Sequence, residues 1–131
     1  MEAIIFIGIQ AVGKSTFYRQ RFADTHLRIN LDMLKTRHRE RLLLEARARY
    51  IALVKAAQFR VIGYYFRSSL TEALQRNRQR AGCKVIPEKA IAATHGRLQL
   101  PSLDEGFDQL YYVTLTASDE FVIQEWADEL R

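Results

Sequence analysis

Residues 8–15 read Gly-Ile-Gln-Ala-Val-Gly-Lys-Ser, directly behind the apolar run Ala-Ile-Ile-Phe-Ile at 3–7. The spacing Gly8-x-x-x-x-Gly13-Lys14-Ser15 is that of a phosphate-binding loop. Glycines let a main chain turn tightly and come close to a ligand. Successive N–H groups along Gly8, Gln10, Ala11, Val12 and Gly13 would then line one concavity that holds an anion. A helix opening at this point adds unpaired N–H groups and the positive end of its dipole. Lys14 supplies a point charge toward the β- and γ-phosphates, and the Ser15 hydroxyl a ligand for Mg²⁺, with Thr16 as the alternative hydroxyl. At average residue frequencies the four specified positions coincide in a chain of this size in roughly one case in two hundred, so chance is a poor explanation.

Phosphoryl transfer needs more than a phosphate cradle. It needs a group to orient or deprotonate the acceptor, and positive charge over the moving phosphoryl. Asp32, in Arg-Ile-Asn-Leu-Asp-Met-Leu-Lys at 28–35, is the acid best placed for the first task; as an ordinary helix N-cap it would serve structure alone. Arg76 and Arg80 are four apart and share one face of an expected helix, whereas Arg78 points elsewhere. They are either lid arginines closing over a nucleotide or a solvated basic face favoured by the helix dipole. His26, His38 and His95 are scattered, with no metal-ligand spacing, and the aromatic residues at 64–66 and 111–112 read as core.

These groups must be positioned by regular elements. Continuous β-branched and apolar character at 3–7 predicts a strand covered on both faces. A helix is expected over 13–24, a short second strand over 26–30 and a long helix over 32–57, which holds no glycine or proline. Residues 59–66 (Phe-Arg-Val-Ile-Gly-Tyr-Tyr-Phe) predict a strong strand. Ser69 and Glu72 form a capping-box signature for a helix to about Arg80, with Gly82 as terminator, and Pro87 suits the start of the next helix. A turn-rich connector at 100–109 leads to a last strand at 110–115. Ser118, followed by Asp119 and Glu120, predicts a C-terminal helix with Val122, Trp126 and Leu130 on one face. Alternating strands and helices imply an α/β fold with a mainly parallel sheet.

The 131 residues suit a single domain, 1–131, with an ordinary globular composition of 48% apolar and 27% charged residues. Net charge is +5, a mild preference for anionic partners such as nucleotides or nucleic acid. The lone Cys83 cannot form an internal disulfide, and no apolar run approaches the roughly 20 residues that span a bilayer. A cytoplasmic location is expected, with no membrane partner.

The loop, Ile-Asn-Leu-Asp-Met-Leu-Lys at 29–35, the Arg-Asn-x-x-Arg sequence at 76–80, the Ile-Pro ahead of the next helix and Leu-Pro-Ser-Leu-Asp-Glu-Gly-Phe-Asp-Gln at 100–109 together resemble the P-loop polynucleotide kinase group. That group includes the kinase domains of bifunctional polynucleotide kinase/phosphatases and related AAA-type ATP-binding proteins. The likeness extends over most of the chain. It implies a P-loop NTPase three-layer αβα fold, with Lys14 and Ser15 holding ATP and Mg²⁺. Asp32 would be the general base, Lys35 a basic residue near the acceptor, and Arg76 and Arg80 the lid arginines. The family also has a strand ending in an Asp-x-Thr-Asn-type sequence ahead of Phe59. Here Leu-Leu-Leu-Glu-Ala-Arg-Ala-Arg-Tyr-Ile-Ala-Leu-Val-Lys-Ala-Ala runs straight through 42–57; if that strand is lost, the sheet is short by one strand and has one acid fewer near the metal and the acceptor.

The expected function is an ATP-dependent kinase acting on a hydroxyl, with a nucleic-acid 5′-OH as favoured acceptor and a sugar or nucleoside as the near alternative. A nucleotide-binding module without phosphoryl transfer is the alternative from another class, and ATP hydrolysis driving assembly is the weaker third.

Overall fold

The computed structural model describes residues 1–9, 12–26, 39–67, 69–80, 85–97, 100–116, 118 and 120–127, with backbone alone over 39–46. Among the described residues four strands run in the order β1 (Glu2–Ile7), β2 (Arg60–Phe66), β3 (Gln109–Leu115) and β4 (Phe121–Glu125) across one sheet. The pairs β1–β2 and β2–β3 are parallel, and β3–β4 is antiparallel. Among the described residues four helices accompany them, α1 (Lys14–Arg21), α2 (Arg39–Ala56), α3 (Leu70–Arg78) and α4 (Glu88–Arg97), together with a 3₁₀ turn at Leu103–Glu105. The chain is thus α/β with a mixed sheet, an arrangement compatible with an αβα sandwich. No helix among the described residues is long and apolar enough to cross a membrane.

Strand alternation sends successive side chains to opposite faces, and two cores result. On one face Ile9, Val12, Phe17, Phe66, Ala73, Ile91 and Val113 pack beneath α1, α3 and α4. On the other, Ile7, Val61, Tyr65, Phe107 and Leu110 pack with Ile51 of α2. β2 is an inner strand and is buried almost throughout. Among the described residues β1 has β2 as its sole strand neighbour, and Ala3 to Phe6 are half-buried. The continuous apolar run therefore reflects helical layers on both faces rather than strands on both sides.

The connector at 100–109 is an anchor for α2. Glu105 spends one carboxylate oxygen on Arg47 Nε at 2.7 Å and the other on the Ser102 amide at 2.7 Å, closing a capping box. Asp108 then docks the start of β3 on β2: its Oδ2 accepts from Val61 N at 2.7 Å, and its own amide donates to Val61 O at 2.8 Å.

The expected C-terminal helix is not formed; residues 121–125 are β4. The apolar residues there satisfy a period of two as well as one of four, and short apolar runs are ambiguous between them. The sheet resolves it. Phe121 and Ile123 face the α1 side, while Trp126 packs on Tyr65 and Tyr112 opposite. Ser118 bonds the Thr116 hydroxyl at 3.2 Å inside the β3–β4 turn, and the Thr116 amide donates to Glu120 O at 2.8 Å. The strand expected at 26–30 lies, from Leu27 onward, outside the described residues, as do Gly82 and Leu130.

Phe17 is fully buried and meets Phe6, Tyr64, Phe66 and Phe121 at ring separations of 5.6, 5.4, 5.2 and 5.1 Å. Deleting such a ring forfeits transfer free energy and leaves a cavity. Phe17→Ala is expected to lower unfolding free energy by about 3–5 kcal/mol, read by denaturant titration; a change under about 1 kcal/mol would show that the cluster relaxes around the void.

Candidate functional site

The β1–α1 turn forms over the C-terminal end of the parallel strands, where open α/β sheets gather ligands. Its two glycines do different jobs. A Cβ on Gly8 would lie 3.1 Å from Val12 Cγ2, 3.2 Å from Phe66 Cβ and 3.3 Å from Phe66 O, so Gly8 lets the chain pass close over the end of β2. Gly13 has φ 97° and ψ 10°, the left-handed conformation that costs other residues about 1–2 kcal/mol. It is the N-cap of α1 and turns the chain into the helix, its carbonyl accepting from Phe17 N at 2.9 Å.

Gly13 has no side chain to bond the N–H groups of the first turn, and that turn holds no acidic residue. Two other helical starts are furnished differently: Ser69 accepts from Glu72 N ahead of α3, and Ser102 from Asp104 N ahead of the 3₁₀ turn. The opening of α1 thus carries the positive end of a dipole with no acidic side chain in its first turn. Lys14 Nζ donates to Gly8 O, so the ammonium bridges the two ends of the loop. Ser15 and Thr16 follow in the first turn, both half-buried.

Beside this turn lies a cavity of about 370 Å³. Gly13, Thr16 and Gln20 form one wall, Leu115 and Phe121 a second, and Arg76, Gln79 and Arg80 a third. The described lining holds two guanidinium groups and no carboxylate. The volume falls within the range of small-ligand sites. Phe121 is the pivot between cavity and loop, because its ring edge stands 3.0 Å from where a Cβ on Gly13 would be.

The structure therefore brings together Gly8, Val12, Gly13, Lys14, Ser15 and Thr16 in one turn, and sets Arg76 and Arg80 against it. Arg78 does point away, its Nε donating to Glu88 Oε1 of α4 at 2.8 Å. Gln10, Ala11, Asp32 and Lys35 lie outside the described residues. Sequence reasoning missed Phe121, Leu115, Gln20 and Gln79. Phe121 was hidden by the reading of its segment as helix; the other three carry no signal outside the fold. Among the described residues no cluster of three or more His, Cys, Asp or Glu side chains could hold a metal ion. No protein-family model and no curated protein matches the chain.

The two constraints on Gly13 separate experimentally. Gly13→Ala is expected to lose about 1–3 kcal/mol of stability from backbone strain and the clash with Phe121. In a Phe121→Leu background the clash is relieved and the strain remains, so the Gly13→Ala penalty should shrink without vanishing. Thermal unfolding of wild type, the two single variants and the double variant reads this; full recovery would show that the left-handed turn relaxes.

Proposed function

We propose that this chain binds ATP and transfers its γ-phosphoryl group to a hydroxyl, with a nucleic-acid 5′-OH as the favoured acceptor. One observation carries the reading: an α1 start with neither cap nor acid, crossed by the Lys14 ammonium, adjoins a cavity lined by two arginines and no carboxylate. A triphosphate satisfies both halves at once. Its phosphates replace Gly8 O as the partner of Lys14 and take up the N–H groups of the turn. The nucleoside end extends toward Phe121 and Leu115, with Arg76 and Arg80 on the flank.

Metal binding in such a site needs few protein ligands, because Mg²⁺ keeps waters and takes phosphate oxygens. The Ser15 hydroxyl fits the one protein position required, with Thr16 beside it. Bound there, Mg²⁺ would supply charge that neutralises the phosphate oxygens.

In the reaction, an acceptor oxygen forms a bond to the γ-phosphorus as the bond to the β,γ-bridging oxygen breaks. ADP departs with that oxygen, and the acceptor hydroxyl proton passes to the Asp32 carboxylate. Lys14, Arg76 and Arg80 bear the charge on the phosphoryl oxygens and on the leaving ADP. The net charge of +5 favours a polyanionic acceptor.

A second reading has a specific observation behind it. No carboxylate lines the described cavity, and none of the three described parallel strands is followed directly by an acid, since Gly8, Arg67 and Thr116 come next. A module that binds nucleotide without transferring phosphoryl has the same description.

Labelled ATP, Mg²⁺ and a 5′-OH oligonucleotide discriminate. Lys14→Ala is expected to weaken ATP binding by at least about tenfold, the loss of a charge-assisted contact. Asp32→Asn should keep binding and lose transfer. Undiminished ATP affinity in Lys14→Ala removes the cradle; tight binding with no transfer to any oligonucleotide, nucleoside or sugar leaves the binding module. Turnover that falls steeply with added salt marks a nucleic-acid acceptor over a small one.

A further inference from the structure

Asn77 is the most buried polar side chain described, at 1% exposure, and it stands within the last turn of α3 among three arginines. Asparagine is a poor residue for a helix interior, since its amide competes for backbone groups. Here that tendency is used across elements. Asn77 Nδ2 donates to Ile86 O at 2.6 Å, and Ile86 N donates to Asn77 Oδ1 at 2.9 Å. The side chain thus takes both main-chain groups of the residue two positions ahead of α4. A buried amide group left unpaired is costly, so both ends of the side chain favour this one docked arrangement.

This clamp sets the roll of the last turn of α3. Helix C-termini fray readily, and long cationic side chains there have many rotamers. A helical residue advances 100° per position, so Arg76 lies about a quarter-turn round from Asn77, and Arg80, two residues past the helix end, lines the same side. With Asn77 held against Ile86, that side faces the cavity, and both arginines line it. Arg78 takes the outer side and pairs with Glu88. The C-terminal residues Gln79 and Arg80 close by 3₁₀-type bonds to Arg76 O and Asn77 O at 3.1 Å.

We propose that Asn77 is a positioning residue for the anion site: by gripping Ile86 it presents Arg76 and Arg80 to the cavity before any ligand arrives. The inference rests on the nucleotide reading above and adds how the site's two cations are preorganised. Asn77 itself does not line the cavity, so its effect on a ligand runs through the arginines.

A double-mutant cycle reads it. ATP affinity is measured for wild type, Asn77→Ala, the pair Arg76→Ala/Arg80→Ala, and the triple variant, each well below its own unfolding midpoint. Asn77→Ala is expected to weaken ATP by about tenfold, and the triple variant to bind no more weakly than the arginine pair. A purely structural asparagine would lower the unfolding midpoint and leave affinity within twofold of wild type, which overturns the proposal. A further loss in the triple variant overturns it too, because Asn77 would then act by another route. If Asn77→Ala does not fold, Asn77→Ser replaces it, with the same expectation and the same overturning results. Wild type without ATP affinity would instead sink the nucleotide reading, and this inference with it.

Discussion

The site depends on where α1 is held. A helix N-terminus attracts an anion only if its donors stand at an accessible point, and the attraction fades within a turn. Phe17 fixes that point. It is fully enclosed in the core between α1 and the sheet, in contact with rings from β1, β2 and β4. Gly13 then delivers the chain from β1 to α1 through a conformation closed to residues with a Cβ. Packing and backbone geometry meet within five residues, and the positions of Lys14, Ser15 and Thr16 follow from them.

The second half of the site is non-local. Arg76 and Arg80 come from the end of α3, about sixty residues further along the chain, and Phe121 from a strand beyond that. Only the sheet joins them: β1 and β2 are parallel neighbours, and β3 brings β4 across to the α1 side. The antiparallel strand at the edge is therefore more than a closing element. Through Phe121 it seals the flank of the turn and shapes the cavity wall.

The polar network is arranged around these supports rather than within the site. Glu105 bonds Arg47 and Ser102, Asp108 bonds Val61, and Asn77 bonds Ile86. Each ties a connector to a neighbouring element. The Pro-Ser-Leu-Asp-Glu-Gly-Phe stretch, read from the sequence as a turn-rich connector, belongs to this supporting class. Its glutamate holds α2 and its phenylalanine fills the core beside Leu110.

Some features were legible in the residues alone because their causes are local. The spacing of Gly8, Gly13, Lys14 and Ser15, the apolar run ahead of them, the capping serine at 69 and the opposed directions of Arg78 and its neighbours each follow from backbone and helix geometry over a few positions. The parallel strands were legible for the same reason, since uninterrupted apolar runs need cover on both faces. The strand at 121–125 was not: its apolar pattern fits two periods, and the choice was made by hydrogen bonds offered along β3. The partnership of Phe121 with Gly13, the cavity between α1 and α3, and the grip of Asn77 on Ile86 were likewise decided by tertiary structure. Each is a contact between segments that packing alone brings within reach, and side-chain type carries no information about which distant neighbour it will meet.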